Sequence, residues 1–354
     1  MIEQPSECHV LVERAAKEQT SANSGEIRLF AKCRNERLRL PAFLKHYRDL
    51  GVGRFFIVDN DSSDGTTEYL AGQPDVRRFT PSGSFREAGG GTDWLNALLA
   101  EFGERHWCVT VDIDELLCYP GSEFAPLRTL TAFLDRHGYE AVGCLLLDLY
   151  PGGPLAACSY KEGDDLLAAA PYFDAGPYER IPIDLCPGFL IRGGMRERIF
   201  YPRFRTRGPV ARIYEGVRGR VARRLPRVHD IRWLRGRRQP PVLTKVPLVR
   251  WNEQTRYLSP HWVSPKPVAP VTGVLLHFKF LADVQSRSAE EMVRGQQFDG
   301  ASEYRRYAQT LADRPDNGFL YEGSAQFAGT RQLVQLGLMD DAQAWSQART
   351  GSGS

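Results

Sequence analysis

Between Ile27 and Asp59 the chain alternates a β-type apolar run, a helical stripe and a second apolar run, and this pattern restricts the fold more than any other stretch. Ile27-Arg-Leu-Phe-Ala-Lys-Cys33 has the length and composition of a strand. Leu38, Leu40, Phe43, Leu44, Tyr47 and Leu50 then recur at helical spacing and stop at Gly51, the residue best suited to close a helix. Arg54-Phe-Phe-Ile-Val-Asp59 is a second, buried strand. Strand, helix and strand of these lengths make a βαβ unit, whose strands are parallel and whose crossover is right-handed. A helix from Asp64 to Leu70, a short strand from Val76 to Phe79 and a helix from Thr92 to Phe102 continue the alternation. The expected class is α/β, a Rossmann-like and mostly parallel sheet flanked by helices.

In such a sheet ligands bind outside the carboxyl ends of the strands, so the residues that end each strand matter most. The run His106-Trp-Cys-Val-Thr-Val-Asp-Ile-Asp-Glu-Leu-Leu117 reads as a strand closing on Asp112 and Asp114. Alternate strand residues share a face, so these two carboxylates are expected to converge on one divalent cation, or on a sugar hydroxyl and a cation. Oxygen ligands suit Mg or Mn. Alone, the pair reads equally as a strand followed by an acidic helix N-cap. It does not stand alone: the first strand ends in Arg34-Asn35-Glu36 and the second in Asp59-Asn60-Asp61. Three polar clusters on parallel strands point into one crevice.

Further along, Ala141 to Leu149 is an apolar strand carrying Asp148, residues 151–190 are rich in Pro and Gly and read as substrate-facing loops, and Val271 to Phe280 is a strand holding His277 and Lys279. Residues 283–348 carry helix formers at helical spacing and predict two to four helices over the sheet. The division expected is a tail (1–24), a main domain (25–282), a C-terminal helical extension (283–350) and a linker scar (351–354). Gly89-Gly-Gly-Thr-Asp93 fits either a phosphate-cradling loop or a flexible lead into an N-cap at Thr92 or Asp93. Neither a P-loop nor a dinucleotide fingerprint is present in the sequence.

Composition narrows the classes. No apolar run reaches the roughly 20 residues that span a bilayer, and the first residues lack the pattern of a signal peptide, so a cytoplasmic location is expected. The seven cysteines are scattered without a Cys-x-x-Cys pair, which supports neither a disulfide framework nor a structural zinc site. The net charge of +3 hides an asymmetry: Arg192 to Arg238 holds sixteen arginines against Glu197, Glu215 and Asp230. Such a segment suits an anion, whether a diphosphate, an acidic glycan, a phospholipid surface at the inner face of a membrane or nucleic acid, and equally suits a solvated basic face.

Lys32-Cys-Arg-Asn-Glu36, Leu40-Pro-Ala-Phe-Leu-Lys-His-Tyr-Arg-Asp-Leu-Gly51, Val58-Asp-Asn-Asp-Ser-Ser-Asp-Gly-Thr66 and Asp112-Ile-Asp114 occur in that order. In these motifs the chain resembles the GT-A fold glycosyltransferases of the family 2 type, in a bacterial branch with Asp-Asn after the second strand. The later Leu275-Leu-His-Phe-Lys-Phe280 is similar to the same branch. The resemblance implies metal-dependent transfer of a sugar from a nucleoside diphosphate sugar, a UDP sugar first among them, to a glycan or lipid-linked acceptor, as in polysaccharide biosynthesis. It implies Arg34, Glu36, Asp59, Asn60, Asp61, Arg86 and Asp112 around the donor nucleotide. Mn or Mg is implied on Asp112 and Asp114, with Asp112 serving ribose or metal, and His277 is either a third ligand or a core histidine. Inversion at the anomeric carbon requires a carboxylate base. Glu197, after a glycine turn and between arginines, is the first candidate, with Asp184 and Asp148 as rivals.

Two other readings compete. Haloacid dehalogenase-type phosphatases also end a strand in Asp-x-Asp, though usually on the first strand of the core. A non-enzymatic arginine-rich module binding nucleic acid or another anion would use the basic segment and its aromatic residues.

Overall fold

The computed structural model describes residues 10–11, 25–81, 83–202, 240–296, 298–313 and 318–351. In chain order the first elements are β1 (Val10–Leu11), β2 (Ile27–Cys33), α1 (Leu40–Asp49), β3 (Val52–Asp59), α2 (Thr66–Ala71), β4 (Val76–Pro81), α3 (Thr92–Phe102) and β5 (Trp107–Asp112). Next come β6 (Glu115–Cys118), α4 (Leu127–Arg136), β7 (Ala141–Asp148), α5 (Leu166–Ala169), β8 (Tyr172–Asp174), β9 (Tyr178–Pro182), β10 (Phe189–Gly193) and α6 (Gly194–Phe200). After these come β11 (Thr244–Arg250), β12 (Tyr257–Ser259), β13 (Trp262–Val263), β14 (Gly273–His277), α7 (Val284–Arg294), α8 (Phe298–Ala312), β15 (Ser324–Gln326), α9 (Thr330–Gln335) and α10 (Gln343–Gly351).

The main sheet has the order β1-β4-β3-β2-β5-β11-β7-β14-β6. Strands β4, β3, β2 and β5 are mutually parallel, and β11 is antiparallel to both β5 and β7, which gives β7 and its parallel neighbour β14 the direction of β2. Six strands therefore run one way and deliver their carboxyl ends to one edge. Alternation along β2 and β3 explains why both faces are covered. Leu29, Ala31, Phe55 and Ile57 pack in one cluster with Phe43, Leu44 and Tyr47 of α1, whereas Phe30, Phe56 and Val58 pack in another with Trp94, Leu98 and Phe102 of α3. Phe30 stacks on Phe56 and Phe56 on Phe102, with centroids 4.9 and 4.8 Å apart. Truncating Phe56 to alanine would cost about 3–5 kcal/mol on this burial.

The fold departs from the expected one at five places. Asp112 and Asp114 do not lie on one strand: β5 ends at Asp112, the chain turns at Ile113 and Asp114, and β6 starts at Glu115 as a separate strand antiparallel to β14. Three residues reach at most about 10 Å, while four inter-strand gaps separate β5 from β6 in a flat sheet, about 19 Å. The sheet must curl, and the curl brings Glu115 back beside Asp112. Strand β11 was not expected, because Pro247 interrupts its apolar run; a register shift between Lys245 and Leu248 absorbs that proline in mid-sheet. Helix α4 also was not anticipated, and Val10–Leu11, inside the expected tail, pair with Thr80 and Pro81. Four helices occupy the expected C-terminal extension, but they are not a separate layer: Trp345 and Leu333 are buried in the main core, and β15 pairs with β8.

Candidate metal centre and strand-end crevice

Register alone assembles the centre. His277 lies opposite Asp148 on β7 and opposite Glu115 on β6, so three adjacent strands present a carboxylate, an imidazole and a carboxylate side by side. Asp114, in the turn before β6, completes a buried group in which one ligand atom from each of Asp114, Glu115 and His277 lies within 4.8 Å of the others. His277 Nε2 is 3.3 Å from Asp114 Oδ2, and Nδ1 is 2.6 Å from Asp148 Oδ1. Because the Asp148 carboxylate accepts, Nδ1 carries the proton in that bond. Burial works against charge on this ring, but Asp114 and Asp148 on either side outweigh it and raise its pKa; loss of the Nε2 proton would turn a lone pair toward Asp114 and Glu115, the form that ligates a metal ion. Arg196 of α6 clamps Asp148 with two parallel bonds of 2.7 and 2.8 Å. Burial pushes the Asp148 carboxyl up, but Arg196 and His277 outweigh it and hold it down at about 2. Burial likewise raises the Asp114 carboxyl and is outweighed, chiefly by His277. Two carboxylates and an imidazole meeting in this way could hold a metal ion.

Asp112 has a different setting. Lys32 donates to its Oδ1 at 2.6 Å and Lys245 to its Oδ2 at 2.9 Å, and Lys245 also bonds Glu115. Burial raises the Asp112 carboxyl, yet Lys245 and then Lys32 hold it well below the usual carboxylate range. Asp112 is outside the three-residue group that could hold a metal, and Glu115 stands in it instead. Lys32 reaches Asp112 across Gly91, where an added Cβ would meet Lys32 Cδ at 2.5 Å and φ is +79°. That close approach accounts for the last glycine of the Gly-Gly-Gly run, and Gly91 itself caps α3 where Thr92 or Asp93 was expected.

The loops after β2 and β3 are laced together. Asn35 N donates to Ser62 Oγ, Ser63 N to Asn35 Oδ1, Glu36 N to Thr66 Oγ1 and Arg37 N to Asp64 Oδ2, at 2.8–3.0 Å. Arg34 donates to the carbonyls of Asn60 and Asp61. Asp59 is buried and accepts from Ser62 N and Thr67 Oγ1, so it organises the turn, while the Asp61 carboxylate faces solvent. Helix α7 crosses these loops: Glu290 bonds Arg34 and Asn35, Arg287 bonds Glu36, and Arg86, in the loop before α3, donates to the Gly295 carbonyl. Glu36 is buried, which pushes its carboxyl up to about 7 despite Arg287 and Arg39.

Of the carboxylates considered as base, Asp148 lies in the centre, while Glu197 and Asp184 have other settings. Asp148 is fully engaged by Arg196 and His277. Glu197 follows Arg196 on α6, and successive helical residues point about 100° apart; no described contact joins it to Asp114, Asp148 or His277. Asp184 is exposed in the loop between β9 and β10. Pro187 of that loop and Phe189, the first residue of β10, flank Gly143, five residues before Asp148, about 16 Å along β7. Most of the arginine-rich segment, residues 203–239, lies outside the described residues. Within the described part, Arg196 and Arg198 are committed to Asp148 and Asp174. No helix among the described residues is long and apolar enough to cross a membrane.

Sequence reasoning missed Lys245, Arg196 and Arg287. Lys245 sits in an unrecognised strand, Arg196 was submerged in the charge count of Arg192 to Arg238, and Arg287 lies in helices read only as cover for the sheet. Compared with known proteins, the chain matches no family model, and no curated protein is significantly similar to it.

Proposed function

We propose that the protein is a metal-dependent glycosyltransferase of the GT-A type that binds a nucleoside diphosphate sugar at the carboxyl edge of its sheet. The observation that carries this reading is the meeting of Asp114, Glu115 and His277 beside the laced loops that end β2 and β3. An ion held there would act as a Lewis acid on the diphosphate leaving group. The chain's own residues divide the rest of the work. In this reading Asp61 and Arg34 would meet the nucleoside, and Lys32 and Lys245 would bring fixed positive charge to Asp112, next to where the leaving group gathers charge. Asp148 orients His277 rather than taking the acceptor's proton. The acceptor in this reading is a glycan or a lipid-linked molecule.

The test is Asp114→Ala. Mn-dependent binding of nucleoside diphosphates by calorimetry should disappear while the circular dichroism spectrum stays native. Undiminished Mn-dependent binding in this variant would remove the metal role, and phosphate release from an aryl phosphate by the native protein would favour a phosphatase instead.

A further inference from the structure

Helix α7, the first of the four C-terminal helices, does more than cover the sheet. Its start is fixed by Arg39, a fully buried arginine whose Nη1 and Nη2 each donate to Asp283 at 2.7 Å and whose Nε donates to the Phe278 carbonyl at 3.1 Å. One turn on, Arg287 is thereby held over the end of β2, where it bonds Glu36 Oε1. It also stands close enough to Asp114 to help keep that carboxyl ionised. Its Nη1 is buried and has no hydrogen-bond partner among the described residues, and the same is true of Glu36 Oε2. Arg39 Nη1 lies 3.6 Å from that oxygen, beyond hydrogen-bond distance. A buried N–H left without an acceptor is unfavourable, so this arrangement is one that an incoming acceptor completes.

We propose that Arg287 is a ligand for the diphosphate of the donor, so that the C-terminal helices form one wall of the donor site. This inference rests on the glycosyltransferase reading. A guanidinium matches phosphate in shape and charge, and its planar fork can keep Glu36 on one nitrogen while the other receives a phosphate oxygen. The site lies beside Glu36 at the end of β2, where a leaving diphosphate would meet a permanent cation. Contacts at the far end of α7 agree with a wall. Phe85 N donates to Gln296 Oε1 at 3.2 Å, tying the helix to the loop that precedes α3.

The experiment is calorimetric titration of the native protein, Arg287→Ala and Arg287→Lys in Mn buffer with UDP, GDP, ADP, CDP and dTDP and with the matching nucleosides. Arg287→Ala should weaken the preferred diphosphate by on the order of tenfold or more and leave its nucleoside unchanged, with Arg287→Lys recovering part of the loss. Equal diphosphate affinity in native protein and Arg287→Ala overturns the inference and leaves the enzyme reading intact. Parallel loss of diphosphate and nucleoside also overturns it, since a purely architectural arginine would behave that way. If the native protein binds none of the diphosphates, the glycosyltransferase reading fails, and this inference with it. Circular dichroism checks folding; should the alanine variant not fold, Arg287→Lys and Arg287→Gln carry the same comparison.

Discussion

Replacing Lys245 by methionine isolates the electrostatics of the strand-end crevice. The Lys245 ammonium is buried between Asp112 Oδ2, 2.9 Å away, and Glu115 Oε1. Lys32 still holds Asp112 Oδ1 at 2.6 Å in the variant, so the group left without a counter-charge is Glu115. Removing one partner of a buried pair costs about 3–5 kcal/mol, and methionine fills most of the vacated volume, so little of that loss comes from a cavity. The sign with pH follows. Burial already raises the Glu115 carboxyl even with Lys245 present. Without Lys245 the native state binds a proton there that the unfolded state has released, so the variant's penalty is larger at pH 8 than at pH 5. Urea unfolding at both values measures it. Glu115→Gln added to Lys245→Met should recover most of the loss, and millimolar Mn should recover part of it at pH 8. A penalty below about 1 kcal/mol, or a double variant no more stable than the single, would refute the reasoning.

Asp148→Asn should weaken Mn binding by roughly tenfold or more without displacing the direct ligands, because it removes the carboxylate that orients His277; unchanged affinity by calorimetry would show that the ring is positioned otherwise. His46 and His261 are both pushed down to about 4, chiefly by burial, so each is neutral in the native state and charged in the unfolded state below about pH 6.5. The unfolded state then binds more protons, and stability falls as pH drops, by about 2 kcal/mol per histidine between pH 7 and 5. His46→Gln, which can still donate to the Leu117 carbonyl, should remove its share of that loss; an unaltered pH difference in urea melts would contradict the assignment.

Local periodicity made the first half of the sheet legible. The βαβ unit, α2, α3 and β5 depend on side chains that repeat within one element, and each lies where the pattern of Leu, Phe and Val residues puts it. The three polar strand ends followed from that, since parallel strands share an edge. What sequence could not carry is the curl. Asp112-Ile-Asp-Glu115 looks like one strand until long-range pairing with β14 turns Glu115 inward, and no local signal encodes that partner. Strand β11 was hidden for a related reason: a proline breaks its pattern, and only flanking strands on both sides make a bulge there tolerable. The partition of Asp112 to two lysines and of Asp114 and Glu115 to His277 depends on these non-local pairings, as does the commitment of Asp148 to Arg196.

The central claim is that the crevice takes a nucleoside diphosphate sugar together with a divalent ion. Its most direct measurement is the melting temperature of the native protein across a panel of UDP, GDP, ADP, CDP and dTDP sugars, each with and without Mn. A ligand that binds only the folded state adds about 2.7 kcal/mol at a hundred times its dissociation constant, enough for a clear upward shift. The account predicts that one base series raises the melting temperature with Mn and does so far less after chelation. A panel in which no sugar nucleotide shifts the transition under either condition would contradict it.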